Sequence, residues 1–177
     1  MKKNHKKLGL NIISSQNYER KKGLNIVIGL NYHDKLLALN EWYRQIFAES
    51  LGKNKNSINY ISAFGSIDQH SQFQLFIDGP KDKQFLFFKI NNSIKPINSI
   101  KNLLLDNNLL SALEKGAIKT LELKKFLVNQ IVIEENFDDY SFLLIYLIFD
   151  IYLRAKNEKI NFLDQPAVEV LKKNTRA

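Results

Sequence analysis

Cysteine is absent from this 177-residue chain, so neither a disulfide framework nor thiolate chemistry is open to it. That absence suits a reducing compartment such as the cytoplasm. Histidine occurs only three times, as His5, His33 and His70, and no two lie close enough along the chain to suggest a zinc site. The seven glycines form no phosphate-binding fingerprint, and no internal repeat is visible. Long apolar runs are also missing. The longest, Phe142 to Leu153, is interrupted by Asp150 and falls short of the ~18–20 residues that a bilayer span needs. The basic N-terminus is not followed by an apolar stretch of signal-peptide length, so no secretory signal is expected.

What remains is 45% hydrophobic, enough for one globular domain with a buried core. The formal net charge of +8 invites a nucleic-acid reading. Its distribution weakens that reading. Residues 1–22 hold Lys2, Lys3, Lys6, Lys7, Arg20, Lys21 and Lys22 against the single acid Glu19, so 19 of the 26 basic and 17 of the 18 acidic residues lie beyond them. The excess is lysine, in a chain also crowded with asparagine and isoleucine, which is what an A/T-rich coding sequence tends to produce. Residues 1–22 are therefore expected to be a flexible basic lead-in, and residues 23–177 the folded domain.

Leu24 to Leu30 is short, β-branched and bounded by Gly23 and Asn31, which predicts a buried strand. Asp34 is placed to cap a helix whose apolar face is Leu36, Leu39, Tyr43, Ile46 and Phe47, with Gly52 supplying a left-handed stop. Residues 53–61 read as a polar loop. Ser66 and Gln69 stand at capping-box spacing, which predicts a helix from about Ile67 that ends by Asp78-Gly79-Pro80. Gln84–Ile90 and Gln130–Ile133 read as two more strands, and a helical region from about Ser99 to Leu127 has a weak point at Gly116. Asp138 or Asp139 can cap a helix running to Arg154, apolar on nearly all sides and so expected to be buried. Pro166 suits the first turn of a last short helix. Strands alternating with helices predict an α/β fold with a mainly parallel sheet and helices on both faces. Three strands are thin for such a sheet, so its edge needs a partner, a further segment or the lead-in.

Two helix ends carry candidate chemistry. Glu49 falls in a last turn, where the backbone's partial negative charge disfavours a second anion and suits a carboxylate to taking up protons. His70 is expected in a first turn, where the dipole favours the neutral imidazole. Taken singly, each is matched by a plain alternative: a solvated acid and a capping or core histidine. Gln165, between Asp164 and Pro166, reads as a turn residue, and Lys172 as one solvated lysine among many.

Three segments taken together resemble the glucose-6-phosphate isomerase family. They are Ala48-Glu49-Ser50-Leu51-Gly52-Lys53, Asp68-Gln69-His70-Ser71-Gln72 running to Asp78-Gly79-Pro80, and Asp164-Gln165-Pro166-Ala167-Val168-Glu169 running to Lys172. Tyr32, Leu36 and Trp42-Tyr43 ahead of Glu49 also fit, and the match spans about residues 23–173. The resemblance implies a sugar-isomerase α/β domain, a C-terminal portion of the family's paired domains. It implies a sugar phosphate substrate, interconversion of glucose 6-phosphate and fructose 6-phosphate through a cis-enediolate, and no metal or organic cofactor. By resemblance Glu49 is the base between C2 and C1. His70 and Lys172 assist ring opening, the histidine coming from a neighbouring subunit of a dimer, and Gln165 lines the sugar. The family's Ser/Thr-rich phosphate loop is not found, and none of Arg20, Arg44, Arg154 and Arg176 follows a Gly-Gly pair as the family's enediolate arginine does. Leu171 and Ala167 stand where the family has glycine. The implied state is a homodimer or a complex with a complementing isomerase chain. The alternative is a non-catalytic remnant or interaction module that pairs with another isomerase chain.

Overall fold

The computed structural model describes residues 17–19, 21–53, 55, 57–91 and 101–176. Four strands, β1 (Ile26–Asn31), β2 (Asn59–Phe64), β3 (Lys83–Ile90) and β4 (Val128–Ile133), form one sheet in the order β2-β1-β3-β4. Every pairing is parallel, with Ile28 opposite Ile61 on one side and Phe85 on the other. Among the described residues the helices are α1 (Leu37–Leu51), α2 (Gly65–Ser71), α3 (Phe73–Asp78), α4 (Lys101–Leu123), α5 (Phe137–Glu158) and α6 (Pro166–Thr175).

A parallel sheet needs cover on both faces, and the alternation of side chains along β3 divides the core accordingly. Phe88 and Ile90 pack with Val27 of β1, Tyr43 and Phe47 of α1 and Leu143, Leu147 and Ile151 of α5. Phe85 and Phe87 pack with Ile28 and Leu30 of β1, Phe73 and Phe76 of α3 and Ala117, Ile118 and Leu121 of α4. Phe85, Phe87 and Phe88 are almost wholly buried, each contributing about 1.5–3 kcal/mol before entropy is counted. The α/β fold with helices on both faces is thus as the alternation of elements predicts.

Several local expectations are corrected. Residues 59–61, expected to end a polar loop, instead begin strand β2: Tyr60 and Ala63 are buried while Asn59 and Ile61 are exposed, a short interrupted pattern beside a polar run. The next helix starts at Gly65, two residues ahead of the expected start. Asp68, not Ser66, satisfies its first turn by accepting the Phe64 N–H at 2.7 Å. Asp34 lies in a 3-10 turn (Asp34–Leu36) ahead of α1 and caps nothing. Gly52 has a φ of −74°, so left-handedness is not its role; a Cβ there would stand 2.7 Å from the Ala48 carbonyl oxygen. α4 passes through Gly116 without a break. Its expected start near Ser99 lies outside the described residues. α5 is capped by Asn136, whose side chain accepts the Asp139 N–H, and it runs on to Glu158.

α5 is not buried on all sides. Leu143, Leu147, Ile151 and Ala155 face the core, while Phe142, Ile145 and Ile148 on the outside are more than half exposed. No helix among the described residues is long and apolar enough to cross a membrane. Up to residue 16 the expected lead-in lies outside the described residues. Beyond it Glu19 is buried, and its carboxylate accepts from Arg154 Nη1 at 3.0 Å. Arg154 Nε donates to Asp150 Oδ2 at 2.8 Å, and the Tyr43 hydroxyl donates to the same oxygen at 2.6 Å. Burial, with Asp150 beside it, pushes the Tyr43 hydroxyl well above its usual pKa.

A second buried polar set fixes α1 against the sheet. Asn40 Nδ2 donates to the Gly29 carbonyl and to Asn31 Oδ1, both at 2.9 Å, while its Oδ1 accepts from the Tyr60 hydroxyl at 2.6 Å. The close approach depends on Gly29, since a Cβ there would meet the Tyr60 hydroxyl at 1.7 Å. Tyr60→Phe removes the donor and strands Asn40 Oδ1. The expected loss is about 1–3 kcal/mol, read as a lower urea midpoint with an unchanged slope. An unshifted midpoint would mean the set does not hold α1.

Candidate active site

α1 leaves the C-terminal edge of β1 and returns the chain to the N-terminal edge, where β2 must begin. Its last turn therefore delivers Glu49 to that edge. α5 makes the same return after β4, and the segment following it carries Gln165 to the same place. The two meet: Gln165 Nε2 donates to Glu49 Oε2 at 3.0 Å, across 116 residues of sequence. Gln45, one turn back on α1, donates from Nε2 to Glu49 Oε1 at 3.0 Å. Both carboxylate oxygens are thus held by neutral amide donors, which orient the group without a counter-ion on it.

A second tie fixes the loop that bears Gln165. Lys53, just past Gly52, pairs with Asp164 Oδ1 at 2.9 Å and donates to the Asn161 carbonyl oxygen. The Lys53 hydrogen bond holds the Asp164 carboxyl below its usual range. Around these groups lies a cleft of about 410 Å³, lined by Glu49, Lys53, Lys55, Gln165, Ala167 and Val168 among others. α6 starts at its rim, directly after Gln165, so its N-terminal end lies near the Glu49 carboxylate.

Lys172 is less tightly placed. It lies four residues beyond Val168, on the same face of α6 one turn further out. It is 52% exposed, and its ammonium pairs with Glu169 at 2.8 Å. Leu171 is 66% exposed and packs no interior, so the leucine imposes no close approach on this helix.

His70 is not brought to Glu49. It lies in the last turn of α2, not the first, and is exposed. The first-turn setting expected for it is therefore not what the fold provides. α2 and α3 belong with α4 on the sheet face opposite α1, so a single chain holds Glu49 and His70 on opposite sides of its sheet.

Two of these groups were not assigned from sequence. Gln45 was legible in principle, because Gln and Glu four apart on a helix meet. Lys53 was not, because its spacing from Glu49 suggests a local ion pair, whereas its partner lies 111 residues away.

No family model matches the chain. Among curated proteins it is similar to the "Probable glucose-6-phosphate isomerase" of Methanococcus maripaludis, 32% identical over an alignment of 147 residues that covers 79% of this chain and 34% of that protein. The glucose-6-phosphate isomerase of Campylobacter jejuni is 31% identical, over 77% of this chain and 37% of that protein. That of Carboxydothermus hydrogenoformans is 33% identical, over 81% and 35%. The chain therefore spans about a third of the length of the curated relatives it matches. Among solved structures, a hypothetical protein of Thermus thermophilus superposes with a TM-score of 0.79 at 24% identity, covering 95% of this chain and 44% of that one. A glucose-6-phosphate isomerase of Chlamydia trachomatis superposes at 0.63 with 18% identity, over 87% and 34%. These two likenesses concern the fold alone, an α/β layer structure on a parallel sheet. With 31–33% identity to curated isomerases over about four-fifths of its own length, the chain belongs to the glucose-6-phosphate isomerase family.

Proposed function

We propose that the Glu49 cleft is the proton-transfer part of an aldose–ketose isomerase site acting on glucose 6-phosphate and fructose 6-phosphate. The observation that carries this reading is the Glu49–Gln165 hydrogen bond at the mouth of a cleft large enough for a hexose. It joins two of the three segments that resemble the family. In the open-chain aldose the proton on C2 lies α to the C1 carbonyl. The Glu49 carboxylate takes that proton, and the electrons of the C–H bond become the C1–C2 double bond of a cis-enediolate. The C1 carbonyl's π pair goes to O1, and the O2 hydroxyl proton passes to O1 between the two cis oxygens. As the C2–O2 carbonyl forms, the same carboxyl returns its proton to C1, leaving a hydroxyl on C1 and the carbonyl at C2. One carboxylate can serve both carbons if both present the same face to it. Gln165 and Gln45 hold the carboxylate in one orientation throughout.

Ring opening falls to Lys172 and His70 in this reading. The exposure of Lys172 leaves its ammonium free to exchange Glu169 for a sugar oxygen. His70, facing away from Glu49 in its own chain, serves a second subunit. The phosphate grip and the enediolate-steadying arginine come from isomerase sequence beyond this third of the family. A cytoplasmic setting and a cofactor-free reaction go with it.

A non-catalytic partner of another isomerase chain is the second reading, favoured by α6, none of whose residues is buried, and by the pairing of Lys172 with Glu169. A coupled assay separates the possibilities. The 177-residue chain alone is expected to give no turnover, and addition of the remaining isomerase sequence to restore it. Robust turnover by the chain alone would overturn the division of the site. In the complemented enzyme Glu49→Gln is expected to lower kcat by about 10²–10⁴-fold; an unchanged kcat would favour the partner reading. Gln165→Leu keeps the base but frees it, and should cost about tenfold or more in kcat/KM, with chain binding to the complementing sequence unaffected.

A further inference from the structure

The described sheet changes its winding direction between β1 and β3. From β1 the chain crosses by α1 over one face to β2; from β3 it crosses by α4 over the opposite face to β4. β1 and β3 are neighbours, so the segments that leave their carboxyl ends part there and open a crevice. In open parallel sheets that is where ligands bind. The Glu49 cleft lies at the other edge and shares no residue with this crevice.

The crevice measures about 240 Å³. That is below the roughly 300–1,000 Å³ of drug-sized ligand sites and suits a small metabolite. Tyr32 and His33 line it from the segment after β1, Lys89 from the end of β3, and Ser111, Glu114 and Lys115 from α4. Leu110 and Val132 add apolar wall.

Donors outnumber acceptors here. Solvent does not reach His33 Nδ1, and it has no hydrogen-bond partner among the described residues. A buried polar nitrogen left in that state calls for a cause. The Tyr32 hydroxyl is committed to Gln69 Oε1 at 2.9 Å. Lys89 Nζ stands 3.3 Å from the Glu114 carboxylate and 3.3 Å from Gln130 Oε1. Both distances are long for an ammonium, which also has a third hydrogen to give. Lys115, exposed, adds a second ammonium. Against these the described lining sets one carboxylate, Glu114, whose charged form burial disfavours. Such a lining fits an acceptor that carries negative charge.

We propose that this crevice binds a small metabolite bearing a phosphate or carboxylate group. The oxyanion lies against Lys89, Lys115 and His33 Nδ1, and a short apolar body lies against Leu110 and Val132. The site is separate from the Glu49 cleft, so it holds or fails independently of isomerisation.

Phenyl phosphate and benzoate are the probes, with inorganic phosphate and benzyl alcohol as controls. Each is titrated at fixed ionic strength into the isotope-labelled 177-residue protein, and amide resonances locate the binding. Saturable shifts at Tyr32, His33, Lys89 and Ser111 are expected with at least one oxyanion probe, tighter than with inorganic phosphate and absent with benzyl alcohol. Lys115→Gln, at an exposed position, should weaken that binding about tenfold and leave the thermal midpoint unchanged. His33→Phe should also weaken it without lowering the midpoint, because Nδ1 has no bond to lose. The proposal is overturned by the absence of saturable shifts with both probes, by shifts confined to Glu49 and Gln165, or by an affinity that neither variant changes. Inorganic phosphate binding as tightly as the probes overturns the metabolite and leaves a bare ion. Benzyl alcohol binding as tightly overturns the oxyanion.

Discussion

The constraint on which this molecule depends is that all four strands of its described sheet point the same way. A parallel pair cannot be closed by a tight turn, so each connection must climb back along a helix from one edge of the sheet to the other. α1 and α5 make that climb on one face, α3 and α4 on the opposite one. The C-termini of α1 and α5 therefore arrive at the same edge on the same side. Glu49 needs no specific loop to find Gln165; the topology brings both to one place, and Lys53 and Asp164 then fix the register of their meeting.

The same constraint explains why His70 does not join them. α2 follows β2 on the far face of the sheet, so its helix stays there whatever its sequence. A carboxylate and an imidazole on opposite faces of one sheet can share a substrate only if another copy supplies one of them. That is a requirement set by layer geometry.

How much of this was legible in the residues follows the same physics. β1 and β3 are buried on both sides and read as continuous apolar runs, so both were plain in the sequence. β2 was not: it covers one edge, carries the exposed Asn59 and Ile61, and follows a run of lysine and asparagine that hides its start. Gly52 was correctly placed as a stop but for the wrong reason, since a close carbonyl and a left-handed turn leave the same letter in the sequence. α5 shows the limit most clearly. A helix apolar all round was expected to be enveloped by its own domain, yet periodicity records only that a face is apolar and not that the domain buries it. For the site, three short segments in order were enough to suggest the family, while the ties that hold them together are non-local and left no spacing to read.

Arg154 is one of only four arginines in a chain that otherwise meets its need for positive charge with lysine. It sits where its planar group reaches two carboxylates on different segments at once, Asp150 on its own helix and Glu19 ahead of β1. An ammonium is a single point and cannot span both in the same fork. A coding sequence under steady mutational pressure toward A and T would be expected to convert arginine codons to lysine ones wherever the exchange is harmless. At this position a lysine could keep only one of the two contacts, so the exchange would cut the tie between the segment ahead of β1 and α5.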